Sequence, residues 1–351
     1  MREVAIISYV QTPMRRDAGA NNDVEMLMPT LQEALSNVGM THKDIDFTCS
    51  GSCDYLGGAA FAFVSAVDAL GAVPAIAESH VEMDAAWALY EAWLKIQCGK
   101  ADTALVYGFG KSSHANLPNV LSLQMDPYSV QPLWPDSISM AALQARALLE
   151  SGKCSERDMA EVVANSRRNA KSNPKAQLKG DFTVDQLLRE PTFVSPLRKH
   201  DCCPITDGAS VMILAVREKA EKFCKRPAFI TGIDHRIDAH GLGLRDLTVS
   251  ESTRIAGEKA GANKGPIDVA ELYAPFSHQE LILRDALGLD ATKTKINPSG
   301  GALAGHVFMA CGLDRIGAVA TRIINGEANR GVAHATSGPC LQQNLVAVLE
   351  G

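Results

Sequence analysis

Gly305-His306-Val307-Phe308-Met309-Ala310-Cys311 and Ser79-His80-Val81-Glu82-Met83-Asp84-Ala85 carry the same His-Val-x-Met pattern in two distant parts of the chain. Each is predicted to open a helix, one ending near Gly99-Lys100 and the other near Gly326-Glu327. A strand is predicted straight after each, over 104–108 and 330–335. Working outward, an amphipathic helix at 31–38 precedes a strand at 44–51, and a helix at 252–260 precedes a strand at 267–274. The run ASVMILAV at 209–216 has its counterpart at 345–349. Flanking elements that stay in register indicate a duplication rather than a chance echo. Each half reads βαβαββ, which predicts an α/β protein of two mixed sheets covered by helices. The helices starting near His80 and His306 are expected to meet at the centre, N-terminus to N-terminus. Their free N–H groups and positive dipole ends suit an oxyanion or a nucleophile.

The chain of 351 residues has room for one large or two medium units. Its 46% hydrophobic and 21% charged residues argue for a folded chain over a disordered one. A net charge of −6 with no basic tract excludes a general nucleic-acid binder. The most apolar stretch, 57–67, stops at Asp68 and is far short of the ~20 residues a spanning helix needs. The N-terminus reads as a strand, not a signal segment, so a soluble cytoplasmic protein is expected. Nine scattered cysteines suit a reducing compartment and leave thiol chemistry open. The boundaries read as 1–220 and 226–351, with a lid-like insertion at 111–206. That insertion is expected to hold a helix at 137–150, a helix capped by Ser155 with Asp158 at N3, and a loop-rich stretch from Asn173-Pro174 to His200. His200, Cys202 and Cys203 crowd together, but adjacent cysteines rarely share one zinc, so no metal is expected. No Gly-x-Gly-x-x-Gly or phosphate-loop lysine is present, and no nucleotide cofactor is expected.

Three stretches carry a family resemblance. Residues 196–209 (PLRKHDCCPITDGA) resemble the thiolase run that enters the last strands of the N-terminal half. Residues 297–306 (NPSGGALAGH) resemble the approach to the thiolase Gly-His-Pro loop, and Arg167-Arg168-Asn169-Ala170 with Asn173-Pro174 also fits. The chain resembles the sterol-carrier-protein thiolase, or non-specific lipid-transfer protein, branch. The runs at 78–84 and 273–280 look like members found in bacterial steroid degradation. The resemblance implies a five-layered α-β-α-β-α thiolase-like fold with an inserted loop domain. It also implies coenzyme A as part of the substrate, with no cofactor bound.

Departures from the family pattern bear on the chemistry. Thiolases begin their first central helix with a nucleophilic cysteine, stabilised there as a thiolate; here that position falls on or beside His80. A second cysteine is expected near Thr336 or Gly338, and Cys340 lies just past it. The Asn-Glu-Ala-Phe or His-Asp-Cys-Phe loop is replaced by Tyr273-Ala274-Pro275-Phe276. Carbon–carbon cleavage beside a thioester needs an oxyanion donor and a proton relay. His306 suits the first, while Tyr273, with a pKa lowered by neighbouring donors, and His278 suit the second. His80 is either a donor facing the ligand or a packed remnant. Ser299, Gly300, Gly301 and Gly338 are taken as substrate-binding positions.

The expected activity is carbon–carbon bond cleavage, retro-aldol or atypically thiolytic, on a bulky steroid-derived acyl-CoA. One rival is a thiolase working through Cys340. Another is a non-catalytic subunit supporting a small zinc-ribbon/OB-fold protein or a second thiolase-like chain. A homodimer pairing through the strand at 104–107 is also expected.

Overall fold

Strand β7 (Asp207–Val216) shows why the apolar runs of this chain become what they do. Buried at all ten positions, it is a continuous hydrophobic segment because both its faces are covered. The computed structural model describes residues 2–57 and 60–351. The first half runs β1 (Val4–Gln11), α1 (Asp23–Ser36), β2 (Phe47–Gly51), α2 (Asp54–Gly57), α3 (Ala62–Leu70), β3 (Ala77–Val81), α4 (Ala85–Gln97) and β4 (Thr103–Lys111). An excursion follows: α5 (Leu117–Leu123), α6 (Ser137–Glu150), α7 (Glu156–Asn169), α8 (Val184–Leu188) and a hairpin of β5 (Thr192–Val194) with β6 (Leu197–Arg198). Then come β7 and α9 (Arg217–Phe223). The second half is β8 (Ala228–Ile237), α10 (Glu251–Ala260), β9 (Val269–Leu272), α11 (Ser277–Ala286), β10 (Lys295–Ile296), α12 (Gly301–Ala304), α13 (Cys311–Ile324), β11 (Arg330–Ser337) and β12 (Gln343–Glu350).

The strands line up as β10-β9-β11-β12-β8-β1-β7-β4-β2-β3. Each side of the β8–β1 junction repeats one order, so β1, β2, β3, β4 and β7 correspond to β8, β9, β10, β11 and β12. The junction is brief, pairing Ala5 with Phe229 and Ile6 with Ala228. Helices α4 and α13 pack against each other, α4 on β2 and β4, α13 on β9 and β11. Their apolar faces (Leu89 and Ile96; Leu313, Ile316 and Val319) form the central core. A second core lies under α1, where Leu27 and Leu31 meet Ile7, Leu105 and Ile213. A third joins Ala256 of α10 to Val332 and Val346. Helix, sheet, helix pair, sheet and helix therefore make the five layers.

Three expectations need correcting. Residues 77–81 form strand β3, and the helix begins only at Ala85, so His80 opens no helix. Each half carries one more helix–strand step than was read, α3–β3 and α11–β10. The strand at 104–107 belongs to β4, hydrogen-bonded to β7 on one side and β2 on the other, and cannot be an edge. The free edge on that side is β3. Among the described residues no helix is long and apolar enough to cross a membrane. The apolar stretch 57–67 includes residues 58–59, which lie outside the described ones.

Candidate active site

The two halves meet where the loop 305–310 crosses β4. A Cβ at Gly108 would lie 2.6 Å from the Met309 carbonyl oxygen, and one at Gly110 would run into the Phe308 carbonyl. These two glycines let one half's loop reach the other half's strand. The Met309 carbonyl then accepts from Ala85 N at 2.8 Å, so the first N–H of α4 is bound across the halves. Met309 adopts a left-handed φ of 73° to do this.

Asp84 is the N-cap of α4. Its Oδ1 accepts from Ala86 N at 2.9 Å and Leu313 N at 3.3 Å, and its Oδ2 from Gly312 N at 2.9 Å. One carboxylate thus binds the N-termini of both central helices. Burial, opposed by these N–H donors and assisted by nearby Asp314, lifts its pKa to about 6.

Tyr273 is the first residue past β9, and its hydroxyl lies 2.7 Å from Nε2 of His306. Thr206 Oγ1 accepts from His306 N at 3.0 Å, and Val307 pairs with Thr206 as an isolated bridge, which fixes the loop. Phe308 packs edge-on against the His306 ring at 5.6 Å. Burial first, then the Arg315 guanidinium, pushes the His306 pKa down to about 4, so the ring is neutral near pH 7. Burial drives the Tyr273 hydroxyl far above its ordinary range, the reverse of the lowered value expected from sequence. The pair is therefore a neutral tyrosine bonded to a neutral imidazole, able to pass a proton without a standing charge.

Beneath it, Arg315 Nη1 meets Glu271 Oε2 at 3.1 Å, both buried, and half-buried Ser299 Oγ at 2.9 Å. Above it opens a cavity of about 230 Å³. A water molecule takes ~30 Å³ in the liquid, so there is room for a ligand group. Leu121, Met125, Ile138 and Ala141 of the excursion form one wall; Phe276, Phe308 and the 336–341 segment form others. Among the described lining residues Asp84 is the one carboxylate, and no lysine or arginine is present.

Residues 4–218 match the family described as thiolase, N-terminal domain. The chain belongs to the thiolase family. It is 28% identical to an acetyl-CoA acetyltransferase of Methanocaldococcus jannaschii, covering 91% of this chain and 89% of that protein. It is 26% identical to sterol carrier protein 2 of Bos taurus over 88% of this chain, and spans only 64% of that protein's length. A solved Ltp2-ChsH2(DUF35) aldolase superposes with a TM-score of 0.80 at 17% identity, covering 99% of this chain and 98% of the other.

Within this thiolase-family fold, the candidates read from sequence separate. Tyr273, His306, Gly338 and Cys340 line the cavity together. His306 lies in the loop ahead of α13, whose first residue is Cys311, rather than at a helix N-terminus. Cys340 donates to the Met140 carbonyl at 3.3 Å, and burial pushes its thiol up to about 11. His278 is away from the cavity lining, in α11. Gln144 is oriented by donating Nε2 to the carbonyls of Leu247 and Cys340, so its Oε1 accepts from His278 Nε2 at 3.2 Å. Complete burial holds His278 near a pKa of about 3. His80 is exposed on edge strand β3 and stacks on Phe63 at 3.7 Å. Ser299 is taken up by Glu271 and Arg315. Gly300 and Gly301, at φ of 99° and 64°, shape the turn into α12 and do not face the cavity. Asp84 was missed. Its signal was an Asp before the run Ala85-Ala86-Trp87-Ala88-Leu89, an N-cap ahead of an apolar helix.

Proposed function

We propose that the chain cleaves a carbon–carbon bond in a bulky β-hydroxyacyl-CoA by a retro-aldol step, with no cysteinyl acyl-enzyme. The observation that carries this is the Tyr273–His306 pair at 2.7 Å, opening into an apolar cavity. Tyr273 oxygen accepts the β-hydroxyl proton as its own proton passes to His306 Nε2. The Cα–Cβ bond then breaks, leaving a ketone and a thioester enolate. Asp84 rather than a cysteine caps α4, and burial raises the thiols that line the cavity, which supports chemistry without a thiolate. Family membership and the acetyl-CoA acetyltransferase relative support coenzyme A as part of the substrate. The apolar lining supports a bulky, steroid-like acyl group, and the likeness to the Ltp2-ChsH2(DUF35) aldolase supports aldol-type cleavage. That assembly also supports a second protein as partner here. Tyr273→Phe and His306→Ala are each expected to lower turnover at least ~100-fold, the scale for losing a proton-transfer group. Unchanged rates of acyl-CoA release in both variants would exclude this site.

A further inference from the structure

Retro-aldol cleavage needs two proton transfers, and the pair described above supplies only the one at oxygen. The other is at carbon: the enolate left on the thioester has to be protonated before release, and in the reverse direction that carbon has to lose a proton. On the reading of the function given above, we propose that Asp84 is the catalytic acid and base at that carbon.

The place of Asp84 and its spare hydrogen-bonding capacity suit this role. Asp84 lines the same cavity as Tyr273 and His306, and is the one carboxylate among its described lining residues. Three backbone donors hold it, two on Oδ1 and one on Oδ2, which leaves Oδ2 able to take one more partner. Room for a carboxylate has been made on purpose by small residues. A Cβ on Gly312 would come within 2.5 Å of Oδ1, and Gly51 abuts the backbone of Ala85, so a larger residue at either place would displace the cap. The groups around it compete. N–H donors of α4 and α13 favour the carboxylate, while burial and the charge of Asp314 favour the acid. Cys311 on α13 and Tyr273 beyond β9 also face it, and burial raises the pKa of both, so neither adds a charge near neutrality. Asp314 itself is bound by Tyr9 and Ser210. A carboxyl balanced in this way can exist in either state, as a group that gives and regains a proton must.

The protons balance. In cleavage, the acid form of Asp84 gives its proton to Cα as the enolate collapses and becomes a carboxylate. The Tyr273–His306 pair meanwhile gains the hydroxyl proton, and exchange with solvent restores both groups. In reverse, the carboxylate takes a proton from Cα of an acyl-CoA, a step that needs no second substrate.

That half-reaction can be measured with acetyl-CoA, the smallest thioester with the required C–H bond. Full-length protein in D₂O is expected to wash deuterium into the acetyl group, read by mass spectrometry. Asp84→Asn keeps an acceptor for the helix caps but cannot carry the proton, and should slow the wash-in at least ~100-fold. Equal rates in Asp84→Asn and wild type would overturn the role of Asp84 and leave the retro-aldol reading standing. Saturable acetyl-CoA binding without any wild-type exchange would also overturn it. Absence of acetyl-CoA binding would instead remove the functional reading on which the inference rests. Should Asp84→Asn fail to fold, the wild-type pH profile decides. Exchange rising through about pH 6 supports the assignment, and a rate flat from about pH 5 to 7.5 overturns it.

Discussion

Glu280 shows how burial sets the chemistry of single residues around this site. It lies on α11, and its Oε2 accepts from Asn297 Nδ2 at 2.7 Å, because Asn297 Oδ1 is already taken by Leu272 N. Burial lifts its pKa from 4.5 to about 7 despite that hydrogen bond. A raised folded-state value means the fold prefers the protonated form. The stability linked to that proton is complete below about pH 4.5 and is lost as pH rises through about 7. Glu280→Gln should therefore be more stable than wild type at pH 8, by about 1–3 kcal/mol. Denaturant titrations at pH 4.5 and pH 8 check this; a gain that is the same at both would contradict it. That Tyr273 and His306 come together was legible because each lies at the edge of a motif, a strand end and a Gly-His turn. Ser299, Gly300 and Gly301, read from the neighbouring motif, lie outside this cavity's lining, where Ser299 joins the Arg315–Glu271 pair and the two glycines take left-handed φ.

Among the elements, the cores and most helices were readable from periodicity and caps. Helix α7, for instance, has the reciprocal Ser155–Asp158 box read from sequence. Strand β3 was not readable, because an edge strand with mostly exposed residues carries no apolar alternation to announce it. The echo between His80 and His306 then drew the helix start five residues too early, from Ala85 to His80. The central helices also hold a buried ion pair, Arg315 with Glu271 on β9. Removing one partner strands the other charge, so Glu271→Ala should cost about 3–5 kcal/mol. Thermal or denaturant unfolding checks it; a loss under about 1 kcal/mol would show that the charge finds another partner. Gly110→Val should also disturb the loop that carries His306, since the added atoms meet the Phe308 carbonyl. Activity is expected to fall more than stability, and an unaffected rate would argue against that approach fixing the loop.

At the scale of the molecule, ten strands of the described residues form one sheet that makes two layers about α4 and α13, and its N-half edge is open. Strand β3 presents free backbone groups there, and Tyr55, Phe61, Val64 and Val73 between β2 and β3 are exposed. With β4 excluded, we propose that the homodimer expected from sequence pairs through this edge. Successive N–H groups of a strand point to opposite sides, so either Ser79→Pro or His80→Pro removes an outward donor. Light scattering should show a wild-type dimer and a monomer for one of these variants; a monomeric wild type would contradict it. The cavity could not be read from sequence, because its walls come from α5 and α6, from 202–205, from 273–276 and from 336–341, which only the fold brings together. The proposed carbon–carbon cleavage has no covalent intermediate on the protein. It is tested most directly by intact-mass spectrometry of the chain while it turns over a bulky β-hydroxyacyl-CoA. A ketone and a shortened acyl-CoA are expected to appear while the protein keeps its unmodified mass. An acyl adduct on Cys340, or on any other cysteine, that forms and decays at the rate of turnover would contradict it.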